Sequence, residues 1–111
     1  MESKNNQLLK FLKVLCDDTR LAILNNLKES EKNNEELQNL LKKSQSTISH
    51  QLNILVDNNL VDFEIKENYK YYKVKNQNIF KLLSRIEGFI EKTTSEDFRE
   101  RQRRELFDIL T

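Results

Sequence analysis

Ser44-Gln45-Ser46-Thr47-Ile48-Ser49-His50-Gln51-Leu52-Asn53-Ile54-Leu55 is the stretch that decides the fold. Ile48, Leu52 and Leu55 recur at i, i+4 and i+7, the buried stripe of an amphipathic helix. The spacing predicts a helix over 44–57, capped by Ser44 or Gln45. The opposite stripe carries Ser46, Ser49, His50 and Asn53, with Gln45 and Thr47 in the first turn. A solvated face in a chain that is 33% charged would more usually carry Glu and Lys. Short hydrogen-bonding groups stand there instead, and such groups reach base edges and phosphates.

Upstream, Leu8, Leu9, Phe11, Leu12 and Leu15 predict a helix over 4–15. Asp17-Asp18-Thr19 interrupts it, and Asp18 is the predicted N-cap of a second helix carrying Leu21, Ile23, Leu24 and Leu27. Asn34 is the predicted cap of a short third helix with an acidic first turn, Glu35-Glu36, and Leu37, Leu40 and Leu41 facing inward. Downstream, Val61-Asp62-Phe63-Glu64-Ile65-Lys66 alternates strictly, as a half-buried strand does. Tyr69–Lys75 is a second β-rich run, and Glu67-Asn68 between them suits a tight turn, since Asn tolerates positive φ. Lys66 and Lys70 near the tip suit a phosphate backbone, but a hairpin that merely covers the core would look the same.

Beyond the hairpin, Ile79, Leu82, Leu83, Ile86, Phe89 and Ile90 form an apolar band too broad for one small core. Thr93-Thr94-Ser95 followed by Glu96-Asp97 predicts a break and a new cap, with a last helix running to about Leu110. Arg101, Arg103 and Arg104 follow its acidic start, and Asp97/Arg101 and Glu100/Arg104 are acid-first i, i+4 pairs. That arginine cluster is better explained as a salt-bridged solvated face than as a nucleic-acid contact.

At 111 residues the length suits one domain, and one Gly with no Pro favours helices over a loop-rich β fold. Cys16 is the only cysteine, so no internal disulfide is expected, in keeping with a reducing cytoplasmic setting. The opening Met1-Glu2-Ser3-Lys4-Asn5-Asn6 lacks the apolar run of a signal peptide, and no apolar stretch is long enough to span a membrane. Net charge is +1, but residues 42–75 hold six Lys against four acidic residues while both flanks balance or lean acidic. A basic middle is compatible with a phosphate-facing surface and with an ordinary solvated one.

The order helix, helix, helix-turn-helix, hairpin, helix is that of a winged helix, and four ordered motifs point to a family. Leu15-Cys16-Asp17-Asp18-Thr19-Arg20-Leu21-Ala22-Ile23-Leu24 resembles the L-x-D-P-T-R-L-x-I-L opening of ArsR-type regulators. Residues 44–55 resemble their S-Q-S-T-V-S-x-H-L-x-x-L recognition helix, Asn59-Leu60-Val61 their G-L-V approach to the wing, and Tyr71-Tyr72-Lys73-Val74 their Y-Y-x-L second wing strand. The resemblance covers residues 8–90. Asp18 replaces the usual Pro, Gln51 the second His, and Asn59 and Asn68 the turn glycines.

The expected fold is therefore mostly α with a small β-hairpin: a winged helix-turn-helix with an additional C-terminal helix, as one domain over 1–111. Residues 34–58 would be the helix-turn-helix, 60–75 the wing, and 1–16 with 77–111 the dimerisation helices. The resemblance implies a regulator of transcription, a repressor in the first reading, binding double-stranded DNA as a homodimer on an inverted repeat. Gln45, Ser46, Thr47, Ser49 and His50 would read bases; Lys42, Lys43, Ser44, Lys66 and Lys70 would meet phosphates. Leu8, Phe11, Leu12, Leu83, Ile86, Phe89 and Ile90 would form the dimer interface, the first helix pairing with the helix over 77–92.

Many ArsR-type proteins bind inducing metals through a Cys-x-Cys set on the third helix or His and carboxylates on the last family helix. Here the third helix has no thiol, and the helix around 79–90 has no His. Cys16 and His50 are the only thiol and imidazole, where such sites need three or four ligands. No metal and no cofactor is expected, and any small-molecule effector is left open. Cys16 reads first as a small buried filler, with an intersubunit disulfide as the redox alternative. No nucleophile–base pair and no phosphate-cradling Gly loop suggests an enzyme. The rival class is a winged-helix module that binds only protein.

Overall fold

The computed structural model describes residues 3–110. Met1, Glu2 and Thr111, the outermost residues of the two segments expected for dimerisation, lie outside the described residues. Backbone contacts divide the chain into two compact units, Met1–Gln77 and Asn78–Thr111.

The first unit holds α1 (Lys4–Leu15), α2 (Asp18–Asn26), β1 (Lys32–Asn33), α3 (Asn34–Leu41), α4 (Gln45–Asp57), β2 (Val61–Lys66) and β3 (Tyr69–Val74). Each helix starts at a side-chain cap. Ser3 accepts from the Asn6 amide, Asp17 from Arg20, Asn33 from Glu36 and Ser44 from Thr47. Two of these caps lie one residue before the predicted position. Asp17, not Asp18, is extended and caps α2, which leaves Asp18 in the first turn beside the positive end of the helix dipole. Asn33, not Asn34, caps α3, because Glu36 stands three residues on and returns the bond in a capping box.

β1 is a strand that no pattern in Lys32-Asn33 announces. It pairs antiparallel with β3, as β2 does, giving the order β1-β3-β2. Val61 faces Val74, Phe63 faces Tyr72 and Ile65 faces Lys70 across the hairpin. Burial fades along that face from Val61, 2% exposed, to Ile65, 69% exposed, so the wing stands out from the core at its tip. Glu67 and Asn68 both take positive φ, 51° and 69°, the geometry of a type I′ hairpin turn. Ile23, Leu24, Leu37, Ile48, Leu52 and Leu55 are fully buried and form the centre of this unit, with Leu27, Val61, Tyr72 and Val74 around them.

The second unit is one helix, α5 (Asn78–Leu110), 33 residues long. The predicted break at Thr93-Thr94-Ser95 is absent. Thr and Ser cost a helix only a few tenths of a kcal/mol each, far below the ~3 kcal/mol of a Pro, and this chain has no Pro. The predicted N-cap at Ser95 is thus an interior helical residue. Ile79 and Phe80 are buried, whereas Phe89, Ile90, Phe98, Phe107 and Ile109 are exposed.

Candidate nucleic-acid interface

The helix-turn-helix is built by α3, a three-residue turn and α4. Lys42 ends α3 in the left-handed region, φ 54°, and the amides of Lys42 and Lys43 both reach the Gln38 carbonyl. That turn sends the chain into Ser44, whose hydroxyl accepts from the Thr47 amide at 3.2 Å and donates to Thr47 Oγ1 at 2.9 Å. Lys42, Lys43 and Ser44 are all exposed at this corner. Ile48, Leu52 and Leu55 are fully buried, so the predicted stripe of α4 is the one the core holds.

On the other side Gln45, Ser46, His50 and Asn53 are exposed, and Thr47 and Ser49 are half-buried. Gln45 and Ser49 line a groove of about 440 Å³ together with Asn34 and Gln38 of α3 and Lys70 and Tyr72 of β3. Ser49 is not a free hydroxyl. The Asn34 side-chain amide bonds to it at 2.8 Å, and Gln38 in turn donates to the Asn34 carbonyl oxygen at 2.6 Å. This polar chain ties α4 to α3 beneath the exposed face.

The two wing lysines part company. The Lys70 ammonium sits 4.6 Å from the Phe63 ring centroid, on the side of the groove. Lys66 turns the other way and is paired with Glu31 and, more loosely, Glu64. Its hydrogen bond to Glu31 holds its pKa above the usual lysine value, so Lys66 is charged but already has a carboxylate partner. Glu64 also bonds Lys73 at 3.0 Å, and that bond lowers the Glu64 pKa. Of the ten proposed DNA contacts, the structure therefore places Gln45, Ser49 and Lys70 around one groove, Ser46, Thr47 and His50 on the same helix, and Lys42, Lys43 and Ser44 at its leading corner. Lys66 faces a different neighbour.

Two residues outside that set shape the site. Gln51 accepts from Arg20 Nη1 at 2.7 Å, so its side-chain oxygen is committed inside the protein. Arg20 also donates to the Val14 and Lys13 carbonyls at 2.6 and 3.2 Å. The sequence holds a signal for Arg20 only in the quoted Asp18-Thr19-Arg20-Leu21 motif; nothing in the periodicity marks it. Cys16 departs from the sequence reading: it ends α1 and is exposed, not a buried filler, because a C-cap residue sits at the edge of the helix rather than on its packed stripe.

A family model described as bacterial regulatory protein, arsR family, matches residues 17–62, from the cap of α2 into β2. Over those residues the chain is similar to the arsR family. Solved structures extend the likeness beyond those residues. Rv0081 of Mycobacterium tuberculosis has 24% identity and a TM-score of 0.77, over 86% of this chain and 97% of that one. The transcriptional regulator HlyU of Vibrio vulnificus CMCP6 has 29% identity and a TM-score of 0.64, over 74% and 88%. The homodimeric winged helix-turn-helix DNA-binding domain Mb0332 of Mycobacterium bovis, a possible ArsR-family transcriptional regulator, has 20% identity and a TM-score of 0.71, over 86% and 93%. No curated protein sequence matches the chain. The winged helix-turn-helix with a C-terminal helix is thus the fold, and the arsR-family match spans most of the first motif and all of the second and third.

Proposed function

We propose that this protein binds double-stranded DNA in a sequence-specific manner and represses transcription, acting as a homodimer on an inverted repeat. The observation that carries the reading is the face of α4. Gln45, Ser46 and His50 stand exposed on the side away from Ile48, Leu52 and Leu55, and Lys70 of the wing lines a groove with Gln45. A helix of this kind enters the major groove with its N-terminal residues toward base edges. A Gln bonds adenine bidentately, and lysines beside the helix neutralise phosphates without reading sequence. In this reading DNA is released without the family's usual metal site, since Cys16 and His50 are the only thiol and imidazole in the chain.

Selection of bound fragments from genomic DNA tests the proposal, followed by two substitutions on the selected site. Gln45→Ala should reduce preference for the site over random duplex by about 1–3 kcal/mol. Lys70→Ala should weaken every sequence alike and flatten the salt dependence by about one unit of slope. A chain that binds no duplex DNA at low salt would be a protein-interaction module. One that binds DNA while Gln45→Ala leaves its preference unchanged reads sequence with another element.

A further inference from the structure

Arg20 lies on α2, away from the exposed face of α4, yet its side chain is only 13% exposed and bonds to two other helices, α1 and α4. Nε and Nη2 donate to the Val14 and Lys13 carbonyls in the last turn of α1, where carbonyls lack the amide of a continuing helix; the Lys13 carbonyl also accepts from the Cys16 amide at 3.3 Å. A cation at that end also opposes the negative pole of the α1 dipole. Nη1 donates to Gln51 Oε1 at 2.7 Å, across 31 residues of sequence, and lies 3.9 Å from Asp17, the cap of α2. Guanidinium has no acceptor, so the direction of every one of these bonds is fixed by chemistry: the Gln51 oxygen must face Arg20. Gln51 directly follows His50 and lies two residues after Ser49, in the half of α4 that presents the polar face.

We infer that Arg20 is a positioning residue for α4: by gripping Gln51 it sets the rotation of that helix against the end of α1. The inference rests on the DNA-reading role proposed for α4. A planar guanidinium with three bonds to two neighbouring helices holds angle as well as distance, which a point-charge ammonium does not. Base readout needs side chains placed to a fraction of an ångström, whereas phosphate attraction tolerates looser placement. Loss of the grip should therefore cost sequence preference more than general DNA affinity.

Gln51→Met keeps length and helix propensity while deleting the acceptor; Gln51→Glu keeps the acceptor and adds charge toward Arg20. Each is measured for thermal stability, for affinity to the selected site and for affinity to random duplex, in the full chain. Gln51→Met should lose about tenfold in the ratio of specific to random affinity, with random affinity held within about twofold. Gln51→Glu should keep the ratio within about twofold of the wild type. Arg20→Lys, which retains the charge but not the fork, should behave like Gln51→Met. Should Gln51→Met fold and retain the full ratio, or should all affinities fall together with melting temperature, Arg20 is only a stabilising contact and the inference fails. If the wild-type chain itself shows no preference among sequences, the reading of α4 fails first and the role of Arg20 with it.

Discussion

Single residues in this protein are placed by local hydrogen-bond chemistry that side-chain type foretells better than position. Asp17 and Asn33 cap where Asp18 and Asn34 were expected, a shift of one residue between two adjacent groups able to do the same work. Ser49 has a partner inside the protein, the Asn34 side-chain amide, apart from the base-reading role proposed for it. The carboxylate of Glu64 offers a residue-scale test. Its bond to Lys73 lowers its pKa, so the folded state favours the ionised form. That contribution is complete above the ordinary carboxylate pKa and disappears as pH falls through the lowered one. Carbon-detected NMR titration should find Glu64 protonating below the ordinary glutamate value, and Lys73→Met should raise it toward that value. An unshifted Glu64 in the wild type would show that the pair does not persist in solution.

At the scale of elements, hydrophobic period sets type while termini depend on what can stop a helix. The i, i+4, i+7 stripe of α4 and the alternation of β2 are both realised, the latter only as far as the sheet remains over the core. α5 runs through Thr93-Thr94-Ser95 because a cap-like sequence does not end a helix unless the backbone has somewhere better to go. Gly88 is the single glycine of the chain and sits inside α5, where an added Cβ would meet nothing within 4 Å. Gly88→Ala should raise stability of the helix by about 1 kcal/mol, the ordinary difference in propensity. Circular dichroism during thermal unfolding measures it; a drop in melting temperature would mean that this position is covered in the assembled protein.

For the whole molecule, the surplus of apolar surface is the dominant feature. Leu8, Leu9 and Leu12 on α1 are 45–55% exposed, and Phe89 on α5 is 70% exposed. Phe11 and Leu83 are half-buried, while Ile86 and Ile90 are exposed. Exposed apolar patches of this kind mark interaction surfaces, and burial of each large side chain contributes about 1.5–3 kcal/mol. A homodimer is the proposed outcome. Light scattering at micromolar concentration should give twice the 13.3 kDa of the chain. Leu12→Asp with Phe89→Asp should return 13.3 kDa while leaving the unfolding signal of the Met1–Gln77 unit in place. A wild-type chain that scatters as a monomer would remove the dimer from the proposed function.

Periodicity and side-chain type were enough, before any coordinates, to establish the winged helix-turn-helix, the buried stripe of α4 and the polar face opposite it. These are legible because helix and strand periods are local properties of the chain, repeated over several turns. The β1 strand, the bond from Asn34 to Ser49, the commitment of Lys66 to Glu31 and the grip of Arg20 on Gln51 were settled only by tertiary structure. Each joins residues far apart in sequence through one or two directional bonds. A directional bond has no period, so which partner a side chain meets depends on how the folded elements bring donors and acceptors within about 3 Å.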